Sequence, residues 1–297
     1  RDYHIFEAYA YYLVSEARQK CANHIFKLGG NVYAFDSTTI DLCLSVFWWA
    51  KFRKKKGGIK VHTLYDVETQ IPAFFHITEA SVHDSKVMIE IPYEPSSYYI
   101  FDRGYNNFKI LYKIHQIEAY FVVRAKKNLG YKSIQWKRRL PKNVLSDASV
   151  FLTGFYPKQY YPEPLRLVKY WDEEQEREFT FITNAMHISA LQVAELYKNR
   201  WQVELFFKWL KQHLKIKRFW GTTENAVRIQ IYAAICAYCL VAIIQHDMQL
   251  NRSTYEVLQI LSISLTDKTH LRDLFDKTKF QNDKERFGPN GPSLFNF

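Results

Sequence analysis

Three acids and one helical stripe hold the chemistry available to this chain. Asp36 stands midway through VYAFDSTTI, residues 32–40, whose β-branched and aromatic residues read as a strand. Asp is disfavoured there both by backbone preference and by burial. Asp102 follows the short strand 98–101 in FDRGY, at a carboxyl end, where open α/β sheets keep their sites. Glu204 belongs to LQVAELYKNRWQVELFFKWLKQHLKIK, residues 191–217, which has no Gly or Pro and reads as one long helix behind a Ser189 N-cap. At about 100° per residue from Tyr197, residues Arg200, Glu204 and Lys211 fall near 300°, 340° and 320°. They form one stripe of a phenol, a carboxylate and two fixed positive charges. Leu196, Val203, Phe207 and Leu210 lie on another arc and anchor the helix to a core. Taken singly, a strand Asp is a turn or cap residue and such a stripe is a solvated face of spaced ion pairs. Converging carboxylates, in contrast, are hard oxygen ligands suited to Mg²⁺. Two such ions about 3.5–4 Å apart stabilise both oxygens of a phosphodiester displacement.

The elements that must bring these residues together follow from the pattern. Residues 1–28 read as helix up to the Gly29-Gly30-Asn31 breaker. Strands are expected at 32–40, 60–67 and 71–78, an antiparallel meander, then at 98–101 and 120–124. Short helices are expected at 82–90 and 108–116. Residues 50–60, AKFRKKKGGIK, read as a basic loop. From 127 to about 186 the helical period disappears, and VFLTGFY, LRLVKYW and EFTFITNA read as strands of a β-rich insertion. A second long helix is expected at 223–251, short helices at 255–264 and 270–278, and a fraying end from Gln281.

Composition narrows the partner. The chain has 297 residues, with 41 Lys and Arg against 30 Asp and Glu, a formal charge of +11 that points to a polyanion. Cys21, Cys43, Cys236 and Cys239 show no disulfide or zinc spacing, and Cys236-x-x-Cys239 sits in an apolar run as core thiols. Reduced thiols fit the cytoplasm. The apolar run 231–244 falls short of the roughly 20 residues that span a bilayer, so no membrane is expected.

Strand, helix and insertion in this order, with the first and fourth strands as sheet neighbours and the last helix across them, describe an RNase H-like mixed sheet flanked by helices. The chain resembles the DDE transposases of insertion-sequence family four. Tyr197, Arg200, Glu204 and Lys211 match the family's Tyr-Arg-Glu-Lys signature at every spacing, and AFDSTTIDL and FDRGY resemble its first two acidic motifs. The resemblance implies a catalytic core at 32–126 and 187–250, interrupted by the insertion at 127–186. Residues 1–31 would be the remnant of an N-terminal DNA-binding region and 251–297 a helical tail. It implies Asp36, Asp102 and Glu204 as catalytic Mg²⁺ ligands, with Mn²⁺ able to substitute. Tyr197, Arg200 and Lys211 would grip the DNA near the cut end. It implies cleavage at terminal inverted repeats through a hairpin, strand transfer into target DNA, and a homodimer with one protomer per end.

Lys51, Arg53, Lys54, Lys55 and Lys56 form a charge run suited to DNA backbone. His83-Asp84 reads equally as a site neighbour or as a surface or capping pair. An aromatic of the insertion is implied to stack on a flipped base, although Trp136 and Trp171 each read as core residues. Two other classes compete: a non-catalytic DNA-binding protein on the same scaffold, which loss of an acid would favour, and an RNase H-like nuclease without strand transfer.

Overall fold

The computed structural model describes residues 2–22, 26–53, 56–213, 219–252, 256–258, 260–261 and 270–277. The chain divides into two compact units between Leu240 and Val241. The larger unit opens with α1 (Tyr3–Lys20), capped by the Asp2 side chain on the His4 N–H. This helix ends eight residues before the expected boundary. Next come β1 (Val32–Leu42), β2 (Lys51–Arg53), β3 (Lys56–Asp66), β4 (Ile71–Glu79) and the short α2 (Asp84–Val87). β5 (Tyr98–Phe101), α3 (Phe108–Gln116) and β6 (Tyr120–Arg124) complete this half, each with the bounds the sequence indicates. Gly29 has φ +76°, and a Cβ on Gly30 would meet the Ser96 carbonyl oxygen at 1.9 Å, so only glycine lets the chain enter β1 beside that loop.

The described part of residues 50–60 is mostly paired strand rather than loop. Arg53 ends β2, Lys56 opens β3, and the two face each other, because β2 and β3 pair antiparallel. Lys54 and Lys55 lie outside the described residues.

The insertion supplies β7 (Tyr131–Trp136), β8 (Val144–Leu152), α4 (Phe155–Tyr160), β9 (Leu165–Asp172) and β10 (Arg177–Thr183). Only the front of VFLTGFY is strand. From Phe155 it turns helical, behind Gly154 as N-cap. Among the described residues one ten-stranded sheet runs β2-β3-β1-β5-β6-β10-β9-β8-β7, with β4 on β3. Its core, β4-β3-β1-β5-β6, has three antiparallel strands followed by two parallel to β1, the RNase H-like order. The insertion continues this sheet, because β10 pairs antiparallel with β6.

Strand parity sorts the sheet into two faces. Tyr33, Phe35, Tyr99, Phe101, Phe121 and Val123 point into a core closed by Val87 and Met88 and by Ile110, Leu111 and Ile114 of α3. The opposite face carries α5 (Ala190–Asn199) and α6 (Trp201–His213), which rest on β5, β6 and β9 and on β1 and β3. Ser189 caps α5 in a capping box with Gln192. Leu196, Val203, Phe207 and Leu210 are all buried, as the apolar arc requires.

The single long helix is therefore two helices that meet at Arg200. Asn199 donates its side-chain amide to the Glu195 carbonyl at 2.9 Å, competing with the helical ladder. The Arg200 N–H then reaches back three residues, to Tyr197 O at 3.1 Å. Arg200 keeps helical dihedrals, φ −54° and ψ −29°, so the stripe survives the break.

The last long helix, α7 (Glu224–Asp247), exceeds the 14-residue apolar run and is by length and hydropathy able to cross a bilayer. Half of its most apolar window is buried inside the protein, and Tyr232 donates to Glu7. Cys236 and Cys239 are buried there as free thiols, and burial pushes Cys239 up to about 12. In the smaller unit Val241, Val257, Ile260 and Phe275 pack together. Trp136 and Trp171 are 63% and 39% exposed, not core, because each lies on an outward position at an open end of the insertion.

One buried ion pair ties the insertion to α5. Arg166 on β9, 2% exposed, binds Asp147 with both arms at 2.7 and 2.8 Å and donates to the carbonyls of Ala185 and Ile188, just ahead of the Ser189 cap. Arg166→Ala would leave two carbonyls unpaired and the buried Asp147 carboxylate with only the exposed Lys137, at 3.1 Å, and should cost about 3 kcal/mol in urea unfolding. The joint change Arg166→Met, Asp147→Leu should cost much less, since no buried charge then lacks a partner. Equal losses in the two variants would show that this pair holds nothing in place.

Candidate active site

The register of three parallel strands brings the site together. Phe35 pairs with Phe101, and Phe101 with Val123. One residue further on, Asp36, Asp102 and Arg124 stand at a single level on successive strands. All three are even-numbered, so they share the face under α5 and α6. The two helices then take hold of both acids. Tyr197 Oη donates to Asp102 Oδ1 at 3.1 Å. Arg200 Nη1 donates to Asp36 Oδ2 at 2.7 Å and Nη2 to Glu204 Oε1 at 2.5 Å, so one guanidinium bridges two of the acids.

Asp36, Glu204, Lys208 and Lys211 line a pocket of about 520 Å³ with Ser37 and Thr38. Asp102, Tyr197 and Arg200 open onto a cleft of about 900 Å³. Thus Asp36, Glu204, Arg200 and Lys211 come together directly, and Asp102 joins through Tyr197 and its level in the sheet. The side chains of Arg53 and Lys56, and all of Lys54 and Lys55, lie outside what the structure describes.

Burial is the main influence on Asp36 and pushes its carboxyl up to about 6. Arg200 and the Ser37 N–H pull it down, and Glu204 and Asp102 push it up. The three acids therefore feel one another. Burial, then the Asp102 charge, pushes Tyr197 up to about 12, so it remains a neutral donor. Among the described residues no three acids, histidines or cysteines stand ready as a metal cage. Close carboxylates without a counter-ion repel, and here Arg200 supplies the counter-charge between Asp36 and Glu204.

A second layer lies behind β1. The Ser37 hydroxyl donates to Asp84 Oδ1 at 2.7 Å, and Lys60 Nζ pairs with the same oxygen at 3.0 Å. Burial acts to raise Asp84, but Ser37 and Lys60 prevail and hold it below the usual carboxylate range. His62, fully buried, places Nδ1 3.9 Å from Asp84, and burial drives it down to about 4, so it is neutral at pH 7. The Tyr105 hydroxyl reaches Asp36 Oδ1 at 3.4 Å. His83 caps α2, so the His83-Asp84 pair is cap and site neighbour at once.

Sequence reasoning missed Arg124, Lys208, Tyr105 and the Lys60–Asp84 pair. Two of these had a signal. Lys208 is one helical turn beyond Glu204, and Arg124 holds the place on β6 that Asp102 holds after β5. The others are joined only by the fold.

Two acids on neighbouring strands, faced by a helix-borne acid, thus sit on an RNase H-like sheet. Residues 27–240 match the family model of the transposase DDE domain. A putative transposase, y4zB, of Sinorhizobium fredii is 37% identical over 246 residues, covering 80% of this chain and 67% of the relative. A probable transposase for insertion sequence element IS5377 of Geobacillus stearothermophilus is 31% identical over 205 residues, covering 69% of this chain and 54% of the relative. A cryo-EM structure of the piggyBac transposase synaptic complex with hairpin DNA is similar at 14% identity and TM-score 0.47, over 86% of this chain and 55% of that one. The chain belongs to the DDE transposases of insertion sequences, of the family-four kind.

A charge test follows from Asp36. Its folded pKa of about 6 lies above the unfolded value of 3.8, so ionisation costs the folded state stability. That cost is absent below about pH 3.8 and complete above about pH 6. Without divalent metal, the stability of Asp36→Asn relative to the unsubstituted chain should rise between pH 4 and pH 7 in thermal melts. A pH-independent difference would show that Asp36 ionises as an ordinary exposed carboxyl.

Proposed function

We propose that this chain cuts DNA at the ends of an insertion sequence and joins those ends to target DNA, with Asp36, Asp102 and Glu204 as its catalytic acids. The observation that carries this reading is the shared level of Asp36 on β1 and Asp102 just after β5, with Tyr197 of α5 bonded to Asp102 and Arg200 at the helix junction bonded to Asp36. Mg²⁺ is the proposed cofactor, and Mn²⁺ can replace it.

The donor set fits such an ion by its chemistry. Asp36 and Glu204 line one pocket, bridged by a cation rather than by a neutral group, and Asp102 lies at the level of Asp36 one strand away. Asp36, Asp102 and Glu204 would hold the ion once the Arg200 guanidinium turns away. When bound, it would supply charge stabilisation to the attacking and leaving phosphate oxygens.

The remaining work falls to the chain itself. Arg200, released from Asp36 and Glu204, can hold a phosphate with two parallel N–H donors. Lys208 and Lys211 face the same pocket and offer point charges to the strand that enters it. Tyr197, held neutral, keeps Asp102 in place and can pass its proton donor to a phosphate oxygen. The reaction course would begin with hydrolysis of one strand. The freed 3′-hydroxyl would then attack the opposite strand to form a hairpin, the hairpin would open, and the end would transfer to target DNA. Two copies, one per element end, are the proposed assembly, acting on DNA in the bacterial cytoplasm.

Incubation with Mg²⁺ and a labelled duplex carrying the element's own end should give nicks and then hairpins. Glu204→Gln, which removes a carboxylate but keeps the size of the side chain, should still bind that duplex and leave it intact. Lys211→Ala should lower the slope of log affinity against log salt by about one unit whatever the base sequence. Nicking at the unsubstituted rate by Glu204→Gln would remove that residue from the site.

A further inference from the structure

Two openings share Arg124, which stands at the level of Asp102, and their charges differ. One is the large cleft beside α5. Its lining holds four basic side chains against five acidic ones, with Asp172, Glu173, Glu174 and Glu195 on the outer wall. Two of those acids already have partners, Glu173 in Lys142 and Glu174 in Lys198. The lining as a whole, which includes Asp102, Tyr197 and Arg200, carries no excess of positive charge.

The other opening is a groove of about 310 Å³ at the carboxyl ends of β5 and β6. Arg103, Arg124, Lys126, Lys127 and Lys169 line it against the single acid Glu178. Lys169 pairs with Glu178 at 3.8 Å, which leaves four cations with no carboxylate in the lining to neutralise them. Tyr131 and Thr180 add neutral hydrogen-bonding groups to the same walls.

Arg124 belongs to both openings. Its guanidinium lies over the Phe179 ring at 4.8 Å, and its backbone carbonyl, like that of Arg103, accepts from the Asn106 amide. One side-chain amide thus clamps the ends of two parallel strands, the place where open α/β sheets receive ligands. The groove is positioned by the fold and continuous, through Arg124, with the level that carries Asp36 and Asp102.

We propose that this groove is a second seat for DNA backbone, which takes the phosphates of a strand leaving the acidic site away from α6. This rests on the reading that the chain acts on DNA. It adds Arg103, Arg124, Lys126 and Lys127 to the DNA-binding residues. The ligand is a phosphodiester backbone of any sequence, because the lining presents point charges and guanidiniums rather than a base-reading pattern.

The test compares two double variants of equal charge change in the 297-residue chain. Lys126→Ala with Lys127→Ala removes cations from the groove. Lys109→Ala with Lys113→Ala removes two from α3 that are not part of the groove's lining. Affinity for a duplex of arbitrary sequence is measured across a salt series, with circular dichroism to confirm folding. The groove variant should lose about two units of the slope of log affinity against log salt, and the α3 variant should keep the unsubstituted slope. Equal slopes in the two variants would overturn the groove, as would absence of any DNA binding by the unsubstituted chain. Nicking of the element's end in Mg²⁺, measured in parallel, separates the two readings. Nicking with equal slopes sinks the groove alone, whereas a slope loss confined to the groove variant without nicking in any protein keeps the groove and sinks the transposase chemistry.

Discussion

Parallel pairing of β1 with β5, and of β5 with β6, is the constraint on which the rest of this molecule depends. It puts Asp36, Asp102 and Arg124 at one level and, through strand parity, on one face. A slip of one residue would turn every side chain of a strand to the other face and separate the acids. The register is held by the residues between them. Phe35, Phe101 and Val123 are fully buried in the core under α2 and α3, so the apolar packing of one face specifies the polar chemistry of the other.

The acids then create an electrostatic problem that α5 and α6 answer. Burial disfavours charge on Asp36, and its two acidic neighbours add to the cost. Arg200 offsets part of this from the junction of the two helices. A junction suits that task better than a helix interior. The ladder loosens at Asn199, and the guanidinium can reach the strand acid and the helix acid at once.

The insertion is part of this arrangement and not an appendage. β10 adds to β6, and Arg166 reaches from β9 to the carbonyls that lead into α5. The position of Tyr197 and Arg200 is therefore set partly by a buried ion pair in the insertion. The same strands supply both the acidic wall and the basic groove, so they also set the charge around Asp102.

Much of this was readable from residue types and spacing. Strand and helix periods located β5, α3 and β6, and the odd placement of Asp36 and Asp102 marked them as acids with a purpose. The Tyr197, Arg200, Glu204 and Lys211 spacing survived a helix break that periodicity does not register. Helical dihedrals at Arg200 keep the angular order even where a hydrogen bond is lost. Other features depended on which strands become neighbours. Arg124 gained meaning only from the β5–β6 register, and Asp84 only because α2 folds against Ser37 and Lys60. Trp136 and Trp171 stayed outside the core because they stand at strand ends, Trp136 as the last residue of the edge strand β7 and Trp171 one residue before the end of β9. Periodicity along a chain determines which side of an element is apolar, and three acids with a matched stripe determined what chemistry was available. Which element lies across from which is decided by long-range packing. Only the tertiary structure therefore decided that Arg200 bridges two acids and that one of the two openings that share Arg124 is basic.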